Sequence, residues 1–113
     1  MKMKMVYTCC YENPKLNELV PRSKILINRF EQKVLQPEKY KIEVEYEFKI
    51  MYNKELRTCK VKILEQEVER INRSMEIASE EEGWIYLTCN KITVNVYEIE
   101  EECNSKFYEV EEK

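Results

Sequence analysis

The sequence contains no histidine, no aspartate and only one glycine among its 113 residues. Without histidine, a serine or cysteine nucleophile lacks its commonest activating base, which excludes Ser-His-Asp and Cys-His centres. With Gly83 as the single glycine, a glycine-rich phosphate loop cannot form. The absence of histidine and aspartate also removes the usual zinc and oxygen-ligand sites. We therefore predict a non-enzymatic protein with no catalytic residues, no metal and no cofactor.

Long apolar runs are also missing. No segment approaches the roughly 20 apolar residues that cross a bilayer, and the alternating sequence of Met1–Met5 differs from the continuous apolar block of a signal peptide. A cytoplasmic protein without membrane association is therefore expected. A single domain over residues 1–113 is predicted, because a chain of this length can build one core but not two.

The clearest pattern is the alternation of apolar and mostly charged residues over Tyr40–Tyr52, which predicts a long strand with one buried face. A two-residue turn at Asn53-Lys54 would join it to the next strand. This register aligns the apolar faces and also pairs glutamates with lysines across the strands, so two independent patterns predict it. The predicted pairs are Tyr52–Glu55, Phe48–Cys59, Tyr46–Val61, Val44–Ile63, Glu47–Lys60 and Glu45–Lys62.

A second hairpin is predicted over residues 84–99, with its turn at Asn90-Lys91. Its register would align apolar residues on one face. On the other face it would place Trp84 opposite Tyr97.

Two helices are predicted between these strands. The first covers residues 23–36, where Ser23 could cap the start and Pro37 ends the helix, although residues 24–30 could also form a strand. The second covers residues 64–80, because apolar residues recur there at helical spacing. Its predicted stripe is Leu64, Val68, Ile71, Met75 and Ala78.

With a short strand over residues 1–8, the order of elements resembles the ferredoxin-like plan. The predicted class is α+β, with the order βαββαβ(β). Its sheet would be antiparallel and five-stranded, with strand order 5-4-1-3-2 and two helices on one face. This resemblance constrains no function, because the fold hosts many unrelated activities.

The five cysteines include no Cys-x-x-Cys pair, which is typical of reduced thiols in a cytosolic protein, although hyperthermophile proteins carry intracellular disulfides. In the predicted topology four of them approach one end of the sheet. They form a candidate disulfide or thiol site, with incidental packed thiols as the alternative. These residues are Cys9, Cys10, Cys59 and Cys103.

Charge is distributed unevenly, since residues 1–63 carry a net charge of +6 and residues 64–113 carry −9. The basic half could bind a nucleic-acid backbone along a strip of lysine and arginine on the two predicted central strands. No stacking aromatics accompany this strip, and a solvated charged surface is the simpler interpretation. The candidate residues are Lys2, Lys4, Arg57, Lys60 and Lys62.

The predicted second hairpin brings Trp84, Tyr86 and Tyr97 together on the face away from the helices. Tryptophan and tyrosine are frequent anchors in protein interfaces, so this cluster is the candidate partner-binding site, most simply in a homodimer. The acidic C-terminal half is a second candidate surface. Alternatively, residues 100–113 could fold back over these rings.

In composition and size the chain resembles small proteins of viruses that infect hyperthermophilic archaea. That resemblance implies a factor that binds a host or viral macromolecule in the host cytoplasm. The sequence therefore predicts a non-enzymatic protein-interaction or regulatory module. A nucleic-acid-binding protein is the alternative, and a nuclease acting without histidine is a weaker one.

Overall fold

The computed structural model describes residues 2–100. These residues form β1 (Lys2–Glu12), α1 (Leu19–Glu31), β2 (Tyr40–Tyr52), β3 (Glu55–Leu64), α2 (Ile71–Glu82) and β4 (Ile85–Glu100), with short 3₁₀ turns before α1, β2 and α2. The predicted α+β class is confirmed. Within this described part, neither helix is long and apolar enough to cross a membrane.

All four strands pair antiparallel in one sheet, in the order β1-β4-β2-β3. Both helices pack on the same side of this sheet, because one core joins their buried residues to those of β2 and β4. We call this side the helix face and the other side the open face. The largest fully buried side chains of the core are Tyr46, Phe48, Leu19, Ile71 and Ile92.

The β2–β3 hairpin has the predicted register at every pair. Asn53 and Lys54 have φ angles of 51° and 65°, and a type I′ turn requires positive φ at both central positions. Lys60 forms its ion pair with Glu45 at 4.0 Å. The salt bridge is therefore diagonal across the strands and does not join directly opposite residues.

The predicted second hairpin is wrong, because residues 85–100 form one continuous strand. Neither Asn90 nor Lys91 has the positive φ angle that such a turn requires. Instead, Lys91 lies opposite Glu12 of β1 and Glu47 of β2. Since strand partners exist on both sides, the backbone groups of Lys91 bond to neighbouring strands and no turn is needed to satisfy them.

The predicted five strands and the ferredoxin-like order 5-4-1-3-2 are not confirmed. β4 lies between β1 and β2, so β1 and β3 are the outer strands and not central neighbours. The burial of β4 explains its position. Ile92, Val94 and Val96 are buried on the helix face, and Asn95 is only 8% exposed on the open face. A strand buried on both faces belongs in the centre of a sheet.

α1 begins at Leu19 and ends at Glu31, earlier than predicted at both ends. Ser23 therefore does not cap the helix. It is fully buried within α1, where its Oγ lies 2.7 Å from the Tyr46 Oη. This hydrogen bond satisfies both hydroxyls inside the core and attaches α1 to β2.

The predicted helix over residues 64–80 is divided in two. Glu65–Arg70 is a 3₁₀ turn, and the α-helix begins at Ile71. Val68 and Ile71 are buried as the stripe requires, whereas Leu64 is exposed at the end of β3.

Two glycine substitutions should have opposite effects on stability. Lys54→Gly should stabilise the protein by up to about 1 kcal/mol, because glycine adopts positive φ without a steric cost. Lys91→Gly should destabilise it by about 0.5 to 1 kcal/mol, because glycine weakens a strand interior. Urea unfolding of both variants checks this difference. Stabilisation by Lys91→Gly would indicate a turn at that residue.

Stability should fall at alkaline pH because of Tyr46. Burial raises the pKa of Tyr46 to about 12, while its hydrogen bond with Ser23 opposes the shift. A raised folded-state pKa contributes stability below the unfolded pKa of about 10 and loses it as pH rises towards the folded value. Between about pH 9 and pH 11, Tyr46→Phe should therefore lose roughly 1 kcal/mol less stability than wild type. Urea unfolding at both pH values, with Tyr52→Phe as control, measures this difference.

Candidate functional site

Trp84 and Tyr86 lie where α2 passes into β4. Gly83 ends α2 with a φ of 75°, a conformation that glycine readily adopts. The Trp84 and Tyr86 ring centroids are 6.2 Å apart, and Tyr86 packs edge-on against Phe48 at 5.1 Å. Because Phe48 is a core residue, Tyr86 lies on the helix face. The prediction that it lies on the face away from the helices is therefore wrong.

Tyr97 is not part of this pair. It lies opposite Met5 of β1 and Lys41 of β2, towards the other end of β4. On the open face its hydroxyl donates a hydrogen bond to Glu43 Oε1 at 3.4 Å. The continuous β4 separates Tyr97 from Trp84, so the predicted cluster of three aromatic residues is not formed.

A groove of about 430 Å³ lies beside Tyr86, between α2 and the start of β4. We call it the aromatic groove. Its apolar lining comes from both elements, and Ile85 is 59% exposed. Its lining residues include Met75, Glu76, Ser79, Glu80, Ile85 and Tyr86.

The start of β4 also has a free backbone edge. β1 pairs with β4 only from Lys91 onwards, where Glu12 is the last partner. The Asn90 carbonyl accepts a hydrogen bond from the Asn13 N–H at 2.8 Å. Within the described residues, the segment 85–89 therefore has β2 on one side and no strand on the other. Unpaired strand edges are templates for binding another extended chain.

The charge beside the groove is acidic. α2 ends with Glu80, Glu81 and Glu82 and has no basic residue in its last turn. The C-terminal end of a helix already carries partial negative charge, so the glutamates add to the same potential. Glu76, one turn earlier, forms an ion pair with Arg73 at 3.1 Å. The glutamates at the end of α2 therefore attract a cation more strongly than Glu76, whose charge is already paired.

The pKa of Tyr86 reflects this environment. Burial, together with smaller contributions from the nearby Cys59 and Glu82, raises this pKa to about 12. The pKa of the Cys59 thiol is also raised, first by burial and then by Glu82. Both residues thus remain protonated near neutral pH, and Glu82 supplies negative charge next to the aromatic pair.

The predicted basic strip is not brought together. Lys2 and Lys4 lie on β1, whereas Arg57, Lys60 and Lys62 lie on β3, at opposite edges of the sheet. Between these edges, β2 carries glutamates on the open face, and Lys60 and Arg57 form ion pairs with glutamate. Binding of nucleic acid stays a prediction, and these five residues do not form a continuous basic surface that would support it.

The predicted thiol site is also divided. Cys9 and Cys10 lie on β1 and Cys59 lies on β3, with β4 and β2 between them. These three thiols and Cys89 are free. Cys103 lies outside the described residues, so a bond to it stays a prediction.

Sequence reasoning found Trp84 and Tyr86 but missed the contribution of α2. The helical stripe identified Met75 as a core residue, and it is only partly buried because it also lines the groove. Ile85, which the predicted second hairpin would have placed on its apolar face, is exposed. The signal that could have found the groove is the run of three glutamates at a helix end, which is unfavourable for the helix itself.

The described residues contain no cluster of three or more cysteine or glutamate side chains that could hold a metal ion. The fold and the groove together define an α+β protein with an apolar groove beside an unpaired strand edge. No protein family, curated protein or solved structure with which the chain was compared matches it. The resemblance to archaeal virus proteins stays a prediction.

Proposed function

We propose that this protein is a non-enzymatic interaction module, and that it binds an extended, basic segment of a partner protein at the aromatic groove. The observation that carries this proposal is the free edge of residues 85–89 beside exposed apolar side chains and an acidic helix end. Each of these three features supports a different part of the recognition.

The free edge favours an extended partner. A peptide that continues the line of β1 past Glu12 could pair through main-chain hydrogen bonds with the regular part of residues 85–89. The register of β4 against β2 shifts between Lys49 and Ile50, so Leu87 lies in a bulge and pairing on either side of it would be short. In strand addition these bonds provide affinity, and pockets for alternate side chains provide specificity. The aromatic groove would receive the side chains that point to the helix face, where Met75 and Tyr86 supply apolar contacts.

The acidic helix end favours a basic partner. Glutamates at a helix C-terminus destabilise the helix by about 0.3 to 1 kcal/mol each, because they oppose the helix dipole. Within the described residues, Glu80, Glu81 and Glu82 make no salt bridge that would offset this cost. A lysine or arginine of a bound peptide would offset this cost.

A synthetic peptide of about ten residues, with threonine at every second position and leucine or lysine at the positions between, is a suitable probe because it presents leucine and lysine on the same face of the added strand. The fluorescence of Trp84, the single tryptophan, is the signal. We expect binding to shift the Trp84 emission. Glu80→Gln with Glu82→Gln should weaken binding by roughly 2- to 30-fold, because two exposed charge pairs are worth about 0.2 to 1 kcal/mol each. The matched control is Glu98→Gln with Glu100→Gln, the same charge change at the other end of β4, and should have little effect.

Backbone methylation of the probe tests strand addition directly. Alternate amides of an added strand point to opposite sides, so only one set bonds to β4. Methylating that set should abolish binding, whereas methylating the other set should leave it almost unchanged. Equal effects of the two methylated peptides, or equal effects of the two glutamate pairs, would refute the proposal.

A further inference from the structure

β3 is the second free edge of the sheet, and it is more regular than the edge formed by β1. Its pairing with β2 runs from Glu55 to Leu64 without a register shift. The pairing of β1 with β4 shifts between Met5 and Tyr7, and such a bulge disfavours edge-to-edge association. Long, regular edges are the ones that pair with another chain.

The type I′ turn decides which backbone groups of β3 are free. The residues that flank a two-residue turn, Tyr52 and Glu55, form a hydrogen-bonded pair, and the bonding alternates along the hairpin. The odd-numbered residues of β3 therefore bond to β2. The even-numbered residues from Leu56 to Leu64 direct their N–H and C=O groups away from the sheet.

Pairing β3 with the β3 of a second copy is compatible with this alternation. In an antiparallel pair centred on Cys59, Thr58 lies opposite Lys60 of the second copy, and Leu56 lies opposite Lys62 of the second copy. The outward groups of these residues meet, giving about eight main-chain hydrogen bonds between the copies. Cys59 then lies opposite Cys59 of the second copy as a non-hydrogen-bonded pair.

Charge and overlap select the centre of this pairing. Centred on Cys59, no two like charges lie directly opposite each other, and nine residues of β3 are paired. Moving the centre to Lys60 places that lysine opposite itself, and moving it to Thr58 reduces the paired residues of β3 from nine to seven. Directly opposed like charges are destabilising. The ion pair of Lys60 with Glu45 further reduces the repulsion that exposed lysines exert at an edge.

We infer that two copies of this chain associate through β3, about a two-fold axis at Cys59, to form a continuous eight-stranded sheet. The surface is separate from the aromatic groove at the free edge of β4. Each dimer would therefore carry two grooves, and this inference does not depend on the proposed peptide binding.

Sedimentation of the full chain tests the association. Wild type should sediment as a dimer at micromolar concentration. Thr58→Pro should raise the dimer dissociation constant at least tenfold, because proline removes an outward N–H without removing a bond to β2. Its circular dichroism should match that of wild type. A wild type that remains monomeric at millimolar concentration would overturn the inference.

Cross-linking of the wild-type fold provides a second test that needs no proline. The α-carbons of a non-hydrogen-bonded pair lie about 4.5 Å apart, within the range of a disulfide. With diamide as oxidant, two Cys59 thiols would lose two protons and two electrons to diamide and form one S–S bond. We expect a covalent dimer that is lost in Cys59→Ser and retained in Cys10→Ser. Because Cys10 is the more exposed thiol, loss of the dimer in Cys10→Ser instead would indicate random collision and refute the inference.

Discussion

Phe48→Ala is expected to lower the free energy of unfolding by about 3 to 5 kcal/mol, the usual cost of truncating a buried phenylalanine. Phe48 is 0% exposed and lies in β2 between Cys59 and Cys89. Its ring stacks on Tyr46 at 6.0 Å between centroids and meets the edge of Tyr86 at 5.1 Å. The cavity would therefore open beneath the aromatic groove, and peptide binding should weaken along with stability.

The neighbouring Lys49→Ala is the matched control. Lys49 is exposed on the open face of the same strand and lies opposite Thr58 and Thr88. Surface substitutions of this kind usually change stability by less than about 0.5 kcal/mol. Thermal or urea unfolding of the two variants should differ clearly. Equal losses would mean that the helix face of β2 has been assigned incorrectly.

The first hairpin was predictable because all of its determinants are local. The alternation in β2, the Asn53-Lys54 turn and the glutamate–lysine pairs each favour one register, and they lie within 25 residues of sequence. A register slip of one residue would move every apolar side chain to the open face. No partner from elsewhere in the chain is needed to exclude that alternative.

The prediction of a second hairpin was wrong because the same dipeptide, Asn-Lys, occurs there in a different environment. Asn90 and Lys91 carry the local signal of a turn, but Lys91 finds Glu12 and Glu47 as strand partners. Those partners are far away in sequence, so no local pattern reveals them. Tertiary pairing outweighed turn propensity, and the predicted strand order failed with the hairpin.

The candidate site was likewise predicted correctly in part and incorrectly in part. Trp84 and Tyr86 were found from residue type, since rings of this kind are frequent anchors at interfaces. Tyr97 was added only through the incorrect hairpin, which placed it opposite Trp84. The open strand edge beside α2 could not be predicted, because the sequence does not reveal that β1 stops at Glu12 and leaves the start of β4 unpaired on that side.

A single feature, the length of β4, thus links the fold to the proposed function. From Lys91 to Glu98 the strand has neighbours on both sides and is central. From Ile85 to Cys89 it extends beyond β1, so the same strand has an open edge beside α2. Changing the length of β1 should therefore alter binding without altering the core.

Ile71→Ala is expected to cost about 2 to 5 kcal/mol, because it removes most of a buried side chain from the start of α2. Ile71 is 1% exposed and belongs to the central core. Its neighbour Arg70 is exposed and forms a surface ion pair with Glu67 at 3.2 Å, so Arg70→Ala should cost well under 1 kcal/mol. Urea unfolding compares the two variants, and similar midpoints would contradict the assigned helix face. Because Met75 and Glu80 follow on the same helix, loosening α2 should also weaken binding of the leucine–lysine peptide, even where Ile71→Ala remains folded.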